Sequence, residues 1–178
     1  MPRAQKVLPK GARGEKGAPG GDRSALPGDI IDTLLLKFDD RCKQQGFVFG
    51  AKGTCIEFDF PAPPLLRTDD LLVLDDGRLA EVVADIEPVL EVRARDFAAA
   101  ARLLLTLGNR HVPVQILANR IRVQKRPENE VLVAEHGLAV VEVTAPFEPD
   151  DGARGDDHGH HRHDHHHAHD HGHGHDHK

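Results

Sequence analysis

The fold is decided by residues 89–143, which read VLEVRARDFAAAARLLLTLGNRHVPVQILANRIRVQKRPENEVLVAEHGLAVVEV. The stretch opens with a strand pattern over residues 89–94, and Asp96 then provides an N-cap for a helix that runs to Leu107. Gly108 is predicted to end this helix as a left-handed C-terminal cap. The apolar stripe of the helix is predicted to consist of Phe97, Ala101, Leu104 and Leu105.

The remainder of this stretch alternates strands with a second helix. The predicted elements are strands at residues 114–117 and 120–124, a short helix at residues 130–136 closed by Gly137, and a last strand at residues 138–143. The order β-α-β-β-α-β over about 60 residues is that of the ferredoxin-like split unit. The sequence therefore predicts an α+β fold with a ferredoxin-like C-terminal domain over residues 86–146.

The residues before this domain show the period of half-buried β-strands. Apolar and acidic residues alternate from residue 56 to residue 60, and apolar runs at residues 71–74 and 79–83 flank an Asp-Gly pair that is typical of a hairpin. We therefore predict a small all-β N-terminal domain over residues 29–85. Residues 1–28 are rich in glycine, proline and charge and are predicted to be a flexible leader.

The most specific chemical signal lies at the C-terminal end. Twelve of the fourteen histidines fall within residues 158–177, interleaved with aspartate and glycine. Neutral imidazole suits nickel, zinc and copper, aspartate attracts divalent cations, and glycine lets neighbouring rings face one ion. With about three to four nitrogens per ion, the segment has room for roughly three or four ions. The candidate ligands here are His158, His160, His161, His163, His165, His166, His167, His169, His171, His173, His175 and His177.

Residues 147–178 have no apolar periodicity and are predicted to form a disordered metal-binding tail. Two alternative interpretations of the His-rich segment are an expression tag and a solvated tail without a metal role. A tag is usually an uninterrupted histidine run, and imidazoles at this density bind transition metals unavoidably. A flexible site follows the Irving–Williams order, so we expect Zn(II) or Cu(II) to compete with Ni(II).

Charge and composition argue against several other functions. Residues 148–178 hold eight acidic and three basic residues and thus carry −5 of the formal −6. The nearly neutral body has no Trp or Tyr, so we expect no nucleic-acid partner. The chain has no signal-peptide core and no apolar run of membrane-spanning length, which predicts a cytoplasmic protein without membrane association.

Catalytic motifs are missing from the sequence as well. The single serine, Ser24, lies in the predicted leader, and no hydrolase, zinc-protease or phosphate-binding-loop motif occurs. A metal-hydrolase site built from tail residues would lack a fixed geometry for the reacting water. We therefore predict that the protein is not an enzyme.

One histidine of the body falls in a constrained segment. His111 lies in GNRHVPVQ, residues 108–115, between the predicted helix end and Pro113. A single histidine after a helix is more often a surface or capping residue than a metal ligand. One histidine per chain binds metal weakly, but a nearby twofold dimer axis would bring two of them face to face.

Residues 107–115 closely resemble the signature of the UreE family of urease accessory proteins. The resemblance extends over roughly residues 30–178. It includes the acidic-basic turn at residues 39–41, the hairpin region at residues 66–78, and residues 145–149, which resemble the segment leading into the His-rich tails of some members.

The resemblance implies a nickel metallochaperone that delivers Ni(II) for assembly of the urease metallocentre. It implies a β domain that contacts the urease apoprotein and its accessory proteins, including the urease GTPase. It also implies a ferredoxin-like domain that forms a homodimer, with His111 as a nickel ligand from both subunits. Where some relatives carry further histidines, this chain has Gln124, Lys125 and Arg126, so we expect no accessory body sites.

Two further interpretations remain. His136 matches no motif and is interpreted as a helix-end residue, favoured there by the helix macrodipole. A protein that stores or buffers nickel, zinc or copper would also explain the tail. Residues 108–115 and the β domain favour the metallochaperone, because a buffer needs no partner-binding module.

Overall fold

The computed structural model describes residues 1–10 and 28–150, and this part of the chain forms two β-sheets. The strands of the first sheet are β1 (Arg3–Leu8), β2 (Ile30–Leu36), β3 (Gln45–Phe49), β4 (Cys55–Asp59), β5 (Leu71–Leu74) and β6 (Leu79–Ala84). A one-turn helix, α1 (Phe38–Arg41), follows β2. The strand order is β2-β6-β5-β1-β4-β3. The apolar core of this sheet includes Leu34, Ile56, Phe58, Leu66, Leu72 and Val82.

Strand β1 lies within the predicted flexible leader, and for residues 3–8 that prediction is wrong. β1 pairs with β5 on one side and with β4 on the other, and Ala4 is fully buried. The guanidinium of Arg3 adds an ion pair to Glu57 at 3.1 Å. The strand depends on hydrogen bonds from segments more than fifty residues away, which local composition does not reveal. The rest of the predicted leader, residues 11–27, lies outside the described residues.

The hairpin predicted in the first sheet is formed by β5 and β6. Gly77 at its tip has a φ of +83°, a left-handed conformation that glycine adopts without steric cost. The acidic-basic turn at residues 39–41 lies within α1. The turn therefore has a helical conformation and directly precedes the link to β3.

The second sheet is antiparallel throughout, in the order β10-β7-β9-β8. Its strands are β7 (Ile86–Arg93), β8 (Gln115–Leu117), β9 (Arg120–Gln124) and β10 (Ala139–Pro146). Two helices, α2 (Phe97–Asn109) and α3 (Pro127–Ala134), pack on one face of it. The chain order β7-α2-β8-β9-α3-β10 confirms the predicted ferredoxin-like α+β fold.

Helix α2 begins where the sequence predicts, but the residues that it buries in the core are not those of the predicted apolar stripe. The carboxylate of Asp96 accepts a hydrogen bond from the Ala99 N–H at 2.7 Å, which caps the helix. Phe97 and Leu105 of the predicted apolar stripe are 88% and 68% exposed. The buried residues of α2 are instead Ala99, Leu103 and Leu107. Within residues 1–10 and 28–150, no helix is both long and apolar enough to cross a membrane.

Residues 147–150 leave β10 as an ordered segment, so the prediction of disorder from residue 147 onward is wrong for these four residues. Phe147 is fully buried, and its ring lies edge-on to Phe38 with the centroids 5.4 Å apart. The fully buried guanidinium of Arg41 donates a hydrogen bond to the carbonyl of Phe147. A single phenylalanine among polar residues has no periodicity that would reveal this packing. Residues 151–178 lie outside the described residues.

Candidate metal centre

His111 lies just beyond the C-terminus of α2. Its φ is +53°, in the left-handed region. The N–H groups of His111 and Val112 donate to the carbonyls of Gly108 and Leu107, respectively, each at 3.0 Å. These two bonds form a Schellman motif, whose left-handed position His111 occupies. The prediction that Gly108 is the left-handed cap is therefore wrong, because α2 continues past it to Asn109.

A histidine with this backbone conformation is unusual. The left-handed position at a helix end favours glycine, and an L-residue with a Cβ atom pays roughly 1–2 kcal/mol to adopt it. The His111 side chain is exposed, so burial of the imidazole within its own chain does not offset that cost. Residues held in sparsely populated backbone conformations cluster at functional sites. The backbone of His111 thus marks a candidate site independently of its residue type.

The segment around His111 is fixed at both ends. Leu107, on the helix side, is fully buried, and Val114, on the strand side, is also buried in the core between the sheet and the helices. Pro113 restricts the backbone between them. The imidazole of His111 is therefore presented on a short, constrained loop rather than on a mobile one.

His111 belongs to no cluster of candidate metal ligands in the described part of the chain. No group of three or more histidine, cysteine, aspartate or glutamate residues is placed there to hold a metal ion. A ring nitrogen of His136 lies 3.1 Å from the hydroxyl of Thr106 on α2, an arrangement that ties the end of α3 to α2. His136 follows α3 by two residues and precedes Gly137, which has a φ of +60°. This histidine therefore has a structural contact at the end of its helix.

An apolar groove lies between α2 and the turn that joins β8 to β9. Its volume is ≈ 830 Å³, and it is lined mainly by apolar side chains. Phe97, Leu105 and Ile116 contribute exposed side chains to it. Exposed apolar surface concentrated in one place is typical of a protein interaction site. The groove runs along the same helix that presents His111 at its end.

The start of the His-rich segment is anchored beside the same loop. The N–H of Asp150 donates to the carbonyl of Val114 at 2.8 Å, and the Asp150 carboxylate accepts the N–H of Ile116 at 2.7 Å. Asp150 therefore lies next to β8, the strand that follows the His111 loop. The tail candidates within residues 158–177 lie outside the described residues. Sequence reasoning missed this anchor because its hydrogen bonds join segments more than thirty residues apart.

Comparison with known proteins identifies the class to which this fold and site belong. Residues 87–177 match the family model described as UreE urease accessory protein, C-terminal domain. The match includes the whole ferredoxin-like domain after its first residue and nearly all of the His-rich tail. The class is therefore that of the urease accessory proteins.

Individual relatives agree with this match. A urease accessory protein UreE of Bradyrhizobium sp. strain BTAi1 is 45% identical over 136 residues, 75% of this chain and 66% of the relative. The UreE protein of Beijerinckia indica is 33% identical over 164 residues, 92% of this chain and 87% of the relative. The chain spans about 57–66% of the length of several other relatives, including those of Bradyrhizobium and Rhodopseudomonas palustris. The chain belongs to the UreE family.

Proposed function

We propose that this protein is a nickel metallochaperone that delivers Ni(II) for assembly of the urease metallocentre. The observation that carries the proposal is the exposed, left-handed His111 at the end of α2 in a chain of the UreE family. A constrained single imidazole is a poor metal site alone and needs further ligands from outside its own domain. Such a site suits transfer of the ion to a partner, because few bonds between the protein and the ion must break when the ion leaves.

The first source of further ligands is a second copy of the chain. The exposed side chains of Phe97 and Leu105 give α2 an apolar surface that a homodimer would cover. In a twofold dimer the same patch meets itself, so a ligand near the axis is present twice. We infer that the two His111 side chains share one Ni(II) at this interface.

The second source is the His-rich tail. Asp150 is held beside Val114, and His158 follows eight residues later. Eight extended residues span up to about 27 Å, whereas the three residues from Val114 back to His111 span at most about 11 Å. The length of the chain after Asp150 is therefore sufficient for the first tail imidazoles to meet His111 while Asp150 stays bound beside Val114. The tail acts as a reservoir, and the dimeric site acts as the ordered transfer point.

The ligand types do not select nickel by themselves. Imidazole ligands on a flexible segment follow the Irving–Williams order, so Cu(II) and Zn(II) compete with Ni(II) for the tail. The fixed spacing of two His111 rings in a dimer is a better source of discrimination, because it imposes a geometry. Discrimination between Ni(II) and competing ions is therefore assigned to the dimeric site and to the receiving partner. The tail determines how many ions the protein holds.

The first sheet provides the surface for partners. Phe47 and Phe49 lie on β3, one of the two edge strands of that sheet, and both side chains are exposed. Two adjacent exposed aromatic rings on a strand edge favour protein contact. We infer that this domain contacts the urease apoprotein and its accessory proteins, including the urease GTPase, in the cytoplasm. The chain itself catalyses no reaction in this scheme.

Nickel titration calorimetry on a chain ending at Asp150 tests the body site. This chain is expected to bind one Ni(II) per two chains, and His111→Ala is expected to abolish that binding. His136→Ala is the matched control, since His136 is the other histidine of the body and already contacts Thr106. Retention of the tight ion by the His111→Ala chain would refute the proposal.

A second measurement separates delivery from storage. Urease activation in cells is expected to fall in the full-length His111→Ala protein even though the tail is intact. A storage protein would instead keep urease activation unchanged in that variant. It would lose cellular nickel tolerance only when the tail is removed.

A further inference from the structure

The face of the second sheet that points away from α2 and α3 carries three arginines around one carboxylate. Glu91 on β7 pairs across the strands with Arg122 on β9, and Arg93 and Arg120 lie one step along the same face. The buried Glu91 carboxylate accepts hydrogen bonds from Arg120 at 3.2 Å and from Arg122 at 3.0 Å. The Arg93 guanidinium lies 3.5 Å from it. We call Arg93, Arg120 and Arg122 the arginine face.

The arginine face carries more positive charge than Glu91 neutralises. Burial raises the pKa of Glu91, but hydrogen bonds from Arg120 and Arg122 outweigh burial and hold that pKa below its usual range. With Glu91 ionised, the three guanidinium groups and this one carboxylate have a net charge of +2, while the Glu87 carboxylate on the same face is hydrogen-bonded to Phe38 and Gln124. A guanidinium has about five N–H donors and a carboxylate about four acceptor positions, so most donors have no carboxylate partner here. The buried Nε of Arg120 finds no acceptor among the described residues.

The chain leading to the tail crosses the second sheet on this same face. Glu87 shares the face with Glu91, and its carboxylate accepts the N–H of Phe38 at 2.8 Å. Phe38 in turn contacts Phe147. From there the chain passes from the β10 edge to the β8 edge, where Asp150 is bound. Asp150, the last described residue, therefore lies at the margin of the arginine face.

The first tail residues have the complementary charge. Residues 151–157 read DGARGDD, which gives three aspartates against one arginine and a net charge of −2. Strands β8, β9 and β7 are neighbours about 4.8 Å apart, so the arginines lie within roughly 10–15 Å of the β8 edge. Asp157 follows Asp150 by seven residues and reaches up to about 24 Å. The length of this segment is therefore sufficient for its carboxylates to meet the guanidinium groups.

We propose that the arginine face is a docking site for the acidic root of the protein's own tail, bound through Asp151, Asp156 and Asp157. Docking holds His158 and the imidazoles after it close to the second sheet instead of letting them move through the full volume open to a free tail. The effective concentration of tail imidazole near the second sheet rises accordingly. The contact itself needs neither metal nor a second subunit, so it stands apart from the proposed nickel delivery.

The test uses the full chain without metal. Backbone and arginine Nε–Hε NMR signals are compared between the natural protein and a variant with D151N, D156N and D157N. Three exposed charge pairs are lost, so the ratio of docked to free tail is expected to fall about tenfold. The largest shift changes are expected at Arg93, Arg120 and Arg122. The substituted residues belong to neither of the two described sheets, so the arginine face keeps all of its own residues.

The matched control is the full chain with D164N, D170N and D176N, which removes the same charge further along the tail. The control is expected to leave the three arginine signals unchanged. Equal changes in both variants would show that only overall charge matters, and no change in either would show that the arginine face is not occupied by the tail. Either result overturns the proposal.

Salt dependence provides a second criterion for the same contact. The Debye length falls from about 10 Å at about 0.1 M salt to about 3 Å at about 1 M. At about 1 M salt, the difference in the arginine NMR signals between the natural protein and the D151N, D156N and D157N variant is therefore expected to disappear. A difference that persists at high salt would overturn docking through carboxylates.

Discussion

Replacing His111 by glycine is expected to stabilise the protein and at the same time to remove the tight metal site proposed there. His111 has a φ of +53° at the position of a Schellman motif that glycine usually occupies. Removing the Cβ atom relieves roughly 1–2 kcal/mol of backbone strain. The greater freedom of glycine in the unfolded chain opposes this gain by about 0.5–1 kcal/mol. The balance is a gain of about 0.5–1 kcal/mol, or up to about 4 °C in Tm for a chain of this size.

The assay is urea unfolding of the metal-free protein at one fixed protein concentration, because the proposed dimerisation would make the free energy of unfolding depend on concentration. His111→Ala is the matched variant, because alanine also lacks the imidazole but keeps the Cβ atom in the left-handed conformation. We expect the glycine variant to be more stable than both the alanine variant and the natural protein. Nickel calorimetry on the same samples is expected to show loss of the tight site in both variants. A glycine variant less stable than the alanine variant would refute the backbone reasoning.

Three further predictions concern the tail and the first sheet. A chain ending at Asp150 is expected to keep its fold and the proposed dimeric state while losing most bound nickel. Light scattering and metal analysis measure these two properties, and a monomeric product would contradict the prediction. Nickel binding by the tail is expected to weaken steeply as the pH falls from about 7.5 to about 5.5, because the metal must displace protons from imidazole. An unchanged nickel stoichiometry at the lower pH would point to other ligands. Asp32→Asn is expected to lower the free energy of unfolding by about 2 kcal/mol at neutral pH. Urea unfolding of this variant and the natural protein at pH 7 and near pH 2 measures whether the difference shrinks in acid, as it should.

The reason for the Asp32 prediction lies in the hydrogen bonds that its carboxylate accepts. Burial raises the pKa of Asp32, but N–H groups of Lys52, Thr33 and Thr54 and the Thr54 hydroxyl reverse this and lower the pKa to about 2. A folded-state pKa below the usual value of 3.8 stabilises the protein above that pH. The contribution is lost as the pH falls from about 4 through about 2. A Cβ atom on Gly50 would lie only 2.2 Å from this carboxylate, which shows how closely the turn encloses it.

Features that depend on neighbouring residues were predictable from the sequence. The Asp96 cap, the Asp-Gly hairpin and the β-α-β-β-α-β order each follow from spacing and residue type within one element. The stripe on α2 was assigned to the wrong face, although α2 itself was predicted correctly. Almost every position of α2 is apolar, so periodicity alone does not decide which side meets the sheet. The core formed around Leu103 and Leu107, and Phe97 and Leu105 remained exposed.

The sequence by itself determined the α+β fold class with its ferredoxin-like unit and the concentration of imidazole within residues 158–177, because both follow from local pattern and composition. Only the tertiary structure decided that residues 3–8 form a strand and that Asp150 anchors the tail beside His111. It also decided that His111, and not Gly108, takes the left-handed position. The strand and the anchor arise from hydrogen bonds between residues far apart in the chain, and the cap depends on where core packing lets the helix end. Such contacts leave no periodic signal in the segments that make them.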